Sequence, residues 1–454
     1  MPGYAKLVLM KKNIDHSRAL SIVSRVLGVS SKFIGFAGIK DKRGITYQFI
    51  TVPRKSILGL NKTNASQIFL EYHEACEKEL RIGELKGNNF NIIIRNVAKN
   101  SDVDKLINSF STKGFINYFG SQRFGSFSIK SHLIGYLLLL KKYKLSFFLN
   151  ILASILINKY NQEFDELKSV DECIKKFAHD IDFVVERVMD FSSNDSDTLN
   201  ETLFELIEQL EQKLDEFFSK SNFKNYTVEA TYRKALKFYL TNPNNAQGAL
   251  QHLPAKLLTL YYHAFQSFIW NYLASYRLKK FDNNIVQIGD FVIQSKDDLQ
   301  VEFSAEQSIE LLTEVVSEHQ IKLFSFDKIV IPLIGPNIKI PSNLLEYLNK
   351  IFNRLFRMNY SEFSFASYLV FNLGSYRYLT VIPRNVTYEI YDNVRLPLIS
   401  DDFQKMCKTD YSTDNYSTLE CFTFLENTSA LKVCCDLPKG SYMTCAMREI
   451  MIID

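Results

Sequence analysis

The sequence has 454 residues, a length that predicts two or three domains at roughly 150 residues each. Hydrophobic residues make up 46% and charged residues 23% of it, which excludes a disordered or fibrous chain. The formal net charge of +4 conceals a gradient: residues 1–60 hold eleven basic and two acidic side chains, whereas 161–219 hold seventeen acidic and five basic. That contrast predicts a polyanion-binding start beside a separate solvated module.

In chain order, Lys6-Leu7-Val8-Leu9-Met10 is apolar and extended, and Ala19, Leu20, Val23, Val26 and Leu27 recur at helical spacing. A strand running into a helix is expected. Two short β-like runs, 33–38 and 46–52, flank the charged turn Lys40-Asp41-Lys42-Arg43-Gly44. After Gly87-Asn88-Asn89 comes another strand pattern, with Phe90, Ile92 and Ile94 on one face and Asn91, Ile93 and Arg95 on the other. The middle reads as helical. Leu203, Leu206, Ile207, Leu210, Leu214 and Phe217 form a stripe whose opposite face is acidic, behind a polar loop at 192–197. A second helix is expected from about 255 to 276 behind Pro254, with Leu257, Tyr261, Ala264, Phe265, Phe268, Ile269 and Tyr272 inward. Strand patterns return near Phe291, at 328–331, 376–382 and 431–435, and a short helix is expected at 442–450. Sheet-rich ends around a helical middle make the class α+β.

The seven cysteines and seven histidines are scattered, without C-x-x-C, H-x-x-x-H or H-E-x-x-H spacing, which argues against a zinc site and for a reducing compartment. The vicinal pair Cys434-Cys435 reads as buried packing. The opening Met1-Pro2-Gly3-Tyr4 lacks a signal-peptide pattern, and the most apolar run, 145–157, is too short for a bilayer of about 30 Å. A soluble protein of the nucleus or cytoplasm, without membrane contact or bound metal, is expected.

Two segments carry chemistry. In Gly38-Ile39-Lys40-Asp41-Lys42-Arg43-Gly44 one carboxylate stands between cations at a glycine-bounded turn. Adjacent cations favour the charged form of a carboxylate. Such a group can act as nucleophile or general base while the cations meet phosphates; the same run also suits a solvated turn. In Asn117-Tyr118-Phe119-Gly120-Ser121-Gln122-Arg123-Phe124-Gly125, aromatics alternate with amides and an arginine. This composition suits stacking and edge recognition of RNA, or equally an aromatic turn packed in the core with Arg123 in an ion pair.

Together these segments resemble the TruD family of pseudouridine synthases, closest to its eukaryotic branch. The resemblance runs through Gly35-Phe36-Ala37-Gly38-Ile39-Lys40-Asp41-Lys42-Arg43 with Thr46 and Gln48, Leu80 to Phe90, and Asn117 to Gly125. It continues through Phe265-Gln266-Ser267-Phe268-Ile269-Trp270-Asn271, Pro332-Leu333-Ile334-Gly335, Gly374-Ser375-Tyr376-Arg377 and Gly440-Ser441-Tyr442-Met443-Thr444. The family implies isomerisation of a uridine within RNA to pseudouridine, without a cofactor, which agrees with the lack of a P-loop or G-x-G-x-x-G motif. By the same resemblance Asp41 is the catalytic aspartate, Phe90 stacks the target uracil and Asn88 sits at the same site. RNA-binding candidates are Lys40, Lys42, Arg43, Asn117, Phe119, Gln122, Arg123 and Arg377. The target base must leave its stack to reach Asp41, so an aromatic platform and backbone-gripping cations are required.

The implied architecture is a pseudouridine-synthase sheet assembled from both chain ends, 1–118 and 375–454. A largely helical TruD-specific domain, 119–374, is inserted between them, with an acidic elaboration at about 143–230 facing away from RNA. The family usually has an extended segment with a Phe-x-Val-x-Glu strand before the region of Leu7, and this sequence opens almost at that later strand. Gly44 stands where the family commonly has Ala. tRNA is the expected substrate, first at position thirteen in the D arm, with other tRNA sites, snRNA and mRNA as further candidates. The alternatives are an RNA-binding protein or chaperone that kept the fold without catalysis, and an S-adenosylmethionine-dependent RNA methyltransferase, which would need a glycine-rich cofactor loop that is missing here.

Overall fold

The computed structural model describes residues 3–62, 67–99, 102–125, 129–157, 196–220, 228–281, 285–295, 300–364, 374–392 and 428–451, with 172, 174–176 and 179 between them. Most of the acidic stretch before Ser196, the first part of the polar loop at 192–197, and Cys173, Cys407 and Cys421 lie outside the described residues. The strands are, in chain order, β1 (Tyr4–Lys12), β2 (Gly35–Phe36), β3 (Ile45–Pro53), β4 (Ile68–Cys76), β5 (Gly87–Ala98), β6 (Phe115–Ile116), β7 (Phe291–Ile293), β8 (Glu302–Ser304), β9 (Leu312–Glu314), β10 (Ile329–Leu333), β11 (Ser375–Tyr378), β12 (Thr380–Val381), β13 (Arg384–Asp392) and β14 (Thr428–Pro438). Contacts divide the chain into two compact units: Met1–Lys105 with Pro383–Lys439, and Leu106–Ile382 with Gly440–Asp454. The boundaries implied by the family resemblance lie instead at 118/119 and 374/375.

The smaller unit carries two antiparallel sheets. The first has the order β2-β3-β1-β4, and the second, β13-β14-β5, joins strands from both ends of the sequence. Alternation along β1 buries Ala5, Leu7 and Leu9, which meet Ile50, Val52, Ile68 and Leu70 from the neighbouring strands. Helix His16–Leu27 covers this face with Ala19, Leu20, Val23 and Leu27. The helix begins where the Asp15 side chain accepts a hydrogen bond from the Arg18 backbone N–H, and ends at Gly28 in the left-handed region.

The larger unit contains a five-stranded sheet, β8-β11-β10-β7-β9, and the β12-β6 pair, with most of the helices. Its long helix, Ala255–Lys280, is buried nearly all round: Tyr261, Tyr262, Phe265, Ile269, Trp270 and Leu273 enter one core. Leu257, Phe268 and Tyr272, expected inward, only pack against its margin. Helix Ser131–Leu139 comes close enough that a Cβ on Gly135 would collide with the Tyr261 carbonyl. The amphipathic helix Ser196–Lys220 buries Leu203, Ile207, Leu210, Leu214 and Phe218. Phe217, expected on that stripe, lies at its edge, because the 3.6-residue turn places position 218 on the axis set by Leu210 and Leu214. No helix among the described residues is long and apolar enough to cross a membrane.

Candidate active site

Asp41 lies in the turn between β2 and β3, exposed together with Lys42 and Arg43. The turn is held from below. Lys11, at the far end of the buried row of β1, is 1% exposed; its ammonium donates to the Ile14 carbonyl at 3.0 Å and to the backbone carbonyl of Asp41 itself. Asn13 closes the other side: its side-chain oxygen accepts from the Gly44 N–H at 2.9 Å, and its own N–H donates to the Gly44 carbonyl at 3.0 Å. Gly44 has φ of 117°, a region that side-chain-bearing residues rarely enter.

A third tether links the turn to the second sheet. The Lys40 ammonium donates to the Asn88 side-chain oxygen. Asn88 and Phe90 are two residues apart on β5 and project from one face. β14 fixes them from behind, pairing Asn88 with Leu437 and Phe90 with Cys435, while Asn89 donates to Asp436 at 2.7 Å. Burial pulls the Lys40 and Lys11 ammonium groups below the usual lysine range, and in both cases the attraction of Asp41 opposes the shift. Asp41, Lys40, Asn88 and Phe90 thus belong to one constellation within the smaller unit. Lys42 and Arg43 stand at its exposed rim, and among the described residues neither pairs with a carboxylate.

The sheet face beneath the turn changes from apolar to polar as it nears Asp41. The β1–β3 register runs Ala5–Val52, Leu7–Ile50, Leu9–Gln48 and Lys11–Thr46. His16, whose ring meets Phe36 edge-on at 4.5 Å, opens the covering helix. The polar atoms of His16, Thr46 and Gln48 are buried, with no protein partner among the described residues. Burial and the nearby Lys11 hold the His16 imidazole below its ordinary range. Lys11 and His16 escape sequence reasoning because neither belongs to a spaced motif. A lysine in an alternating apolar row was the one available signal.

In the larger unit, the structure corrects three of the expected RNA contacts. Arg377 is fully buried. Its guanidinium donates to the Asn117 carbonyl at 3.0 and 3.1 Å, to the Asn117 side-chain oxygen at 2.5 Å and to the Gly440 carbonyl at 2.9 Å, and it lies 4.2 Å from the centre of the Phe119 ring. Burial pushes it down to about 10. Asn117 is also fully buried, donating to the Tyr378 carbonyl at 3.1 Å, and Phe119 packs edge-on against Trp270 at 5.6 Å. Asn117, Phe119 and Arg377 form an internal brace, because their polar atoms are satisfied by the fold and no face is left for RNA. Gln122 and Arg123 lie outside it: Gln122 is exposed, and half-buried Arg123 donates through Nε to the Ser267 hydroxyl at 3.1 Å. Cys435 is buried and its thiol is pushed up to about 12, in line with a packing role; its neighbour Cys434 is partly exposed. Among the described residues no group of His, Cys, Asp or Glu is arranged to hold a metal ion.

Comparison with known proteins places this geometry in context. The chain is 27% identical to multisubstrate pseudouridine synthase 7 of Schizosaccharomyces pombe, over 99% of this chain and 62% of that protein. It is 25% identical to the protein of Thermococcus onnurineus named as a probable tRNA pseudouridine synthase D, over 99% of this chain and 88% of the relative. The chain therefore spans about six-tenths of the length of its yeast relative. A crystal structure described as tRNA pseudouridine synthase D from Methanosarcina mazei shares the fold, with a TM-score of 0.59 and 22% identity over 100% of this chain and 89% of that one. The family model described as tRNA pseudouridine synthase D (TruD) matches residues 3–450. The chain belongs to the TruD family.

Proposed function

We propose that this protein isomerises uridine to pseudouridine within RNA, with tRNA as substrate and Asp41 as the catalytic carboxylate. The reaction breaks the N1–C1′ glycosidic bond, turns the uracil and joins C5 to C1′; C5 loses a proton and N1 gains one, so no cofactor is consumed. The observation that carries this reading is the fixing of the Asp41 turn from two sides, by buried Lys11 and by Lys40 reaching Asn88 beside Phe90. The carboxylate stands on an exposed turn whose backbone is anchored, which is what positioning for catalysis on a flipped nucleotide requires. Phe90 offers a ring for the extruded uracil, and Asn88 is oriented by Lys40. Lys42 and Arg43 supply charge for the flanking phosphates. Lys11 is a positioning residue, acting on Asp41 through its carbonyl. The catalytic work belongs, in this reading, to the part assembled from both chain ends, in the nucleus or cytoplasm where the RNA is found.

The test is pseudouridine mapping of total RNA from a deletion strain carrying wild type or Asp41→Asn. Wild type restores specific tRNA sites, position thirteen of the D arm first, and Asp41→Asn lowers product by about 10³-fold or more, at the upper range for loss of a proton-transfer group. Restored sites confined to snRNA or mRNA would replace the tRNA assignment. RNA binding by wild type without product at any site would instead favour the non-catalytic RNA-binding reading, and equal activity of Asp41→Asn would remove the carboxylate from the mechanism.

A further inference from the structure

The larger unit contains a cavity of about 340 Å³ lined by Arg123, His263, Gln266, Glu302, Leu333 and Ser375, among others. Its size is at the small end of the ~300–1,000 Å³ common for ligand sites. Asp41 is not among its lining residues.

The walls are built rather than incidental. Arg123 is oriented by Ser267, whose hydroxyl donates in turn to the His263 carbonyl at 2.7 Å. His263 Nδ1 meets Gln266 Oε1 at 3.1 Å, and Gln266 Nε2 donates to the Ile334 carbonyl at 2.5 Å. Across the cavity, Ser375 donates to Glu302 at 2.7 Å, with buried Arg377 3.9 Å from the same carboxylate. Among the described residues no carboxylate pairs with Arg123. Burial and the Arg123 charge hold the His263 imidazole below its ordinary range, so at neutral pH it adds no second cation.

The cavity sets the Arg123 guanidinium opposite a carboxylate that buried Arg377 partly neutralises, so an anionic group suits the Arg123 side and a hydrogen-bond donor suits the Glu302 side. The ligand that satisfies both carries an anionic group and, close by, hydroxyl or N–H donors. A ribonucleotide has this layout: the phosphate suits the guanidinium fork and the neighbouring ribose hydroxyl suits a carboxylate oxygen. Leu333 offers an apolar wall to the base. We propose that this cavity holds a second ribonucleotide of the RNA substrate, with its phosphate on Arg123 and its ribose 2′-hydroxyl on Glu302. A deoxyribonucleotide lacks that hydroxyl, so the cavity also distinguishes RNA from DNA. This inference rests on RNA being the substrate.

The experiment uses the full chain and a series of tRNA transcripts, each with one 2′-deoxy nucleotide, and measures the Kd of wild type and Glu302→Ala. In wild type, one position other than the target uridine weakens binding about tenfold when deoxy, the loss of one hydrogen bond to a charged group. In Glu302→Ala that penalty disappears while all others remain, a coupling that a general structural defect would not produce. Arg123→Gln weakens binding of every transcript about tenfold and flattens the salt dependence by close to one phosphate contact. If Glu302→Ala does not fold, Ser375→Ala, which releases the carboxylate from its neighbour, takes its place and reduces the same penalty. Deoxy penalties identical in wild type and variant at every position overturn the proposal but leave the RNA reading intact. Failure of wild type to bind or modify RNA overturns both.

Discussion

The Asp41 turn and the Asn117–Arg377 cluster have similar ingredients, cations and amides beside an aromatic ring, and opposite surroundings. At the turn, the backbone is tied down by Lys11 and Asn13 while Asp41, Lys42 and Arg43 remain exposed. In the cluster the guanidinium itself is consumed by carbonyl oxygens in the interior. The comparison separates two settings for a polar motif. One motif holds its charges outward, and the other replaces missing backbone partners inside. A charge is a candidate for chemistry when the fold anchors its backbone and leaves its side chain exposed.

The largest contrast is expected between Arg377→Met and Asp41→Asn. Arg377→Met strands the buried carbonyls of Asn117 and Gly440 and should destabilise the larger unit by about 3–5 kcal/mol, read as a drop in Tm or denaturant midpoint. Asp41→Asn should leave the midpoint unchanged while removing product. Equal melting losses for both would erase the distinction. Next, Lys11→Met releases the Asp41 carbonyl. It should lower kcat about 10–100-fold with little change in KM, since the loss is one of positioning; a change confined to KM would make Lys11 a binding residue.

Smaller effects sharpen the comparison at its edges. His132, buried in the larger unit and stacked on Phe268 at 4.4 Å, is pushed down to about 3 by burial. Its folded value lies below the unfolded 6.5, so its contribution is intact above pH 6.5 and is lost as pH falls toward 3. The slope is about 1.4 kcal/mol per pH unit within that window. His132→Phe should flatten the acid limb of a stability–pH curve by that amount, and an unaltered limb would contradict it. Finally, Gly44→Ala meets open space but a φ of 117°, so it should cost about 1–2 kcal/mol and lower turnover modestly by loosening the Asp41 turn.

Much of this architecture is legible in the sequence where burial is one-sided. β1, β3 and β5 are strands where extended patterns are expected, and the stripe expected from Leu203 to Phe217 corresponds to a helix, with Phe218 buried in place of Phe217. Legibility fails where burial surrounds an element or where a charge is internal. Helix Ala255–Lys280 has no polar face to mark its orientation, and Leu258 is buried where Leu257 is the residue expected inward. Nothing in the spacing around Arg377 shows that its partners lie 260 residues earlier. At the turn, the charge pattern exposes Asp41 to inspection, whereas Lys11 and His16 gain their meaning only when β1 and β3 are aligned.

The pairing of β5 with β14 has a consequence for how the chain folds during synthesis. Asn89 and Asp436, hydrogen-bonded across that pair, are 347 residues apart in sequence. During synthesis at ~5–20 residues per second, roughly 17–70 s separate the emergence of the two strands. Throughout that interval the strand bearing Asn88 and Phe90 lacks its partner, while the larger unit's uninterrupted run from Leu106 to Ile382 is already available to fold. The constellation of Asp41, Asn88 and Phe90 is therefore among the last parts of the chain to mature, and a nascent or truncated product that stops before Thr428 has the Asp41 turn but no finished strand pair beside it.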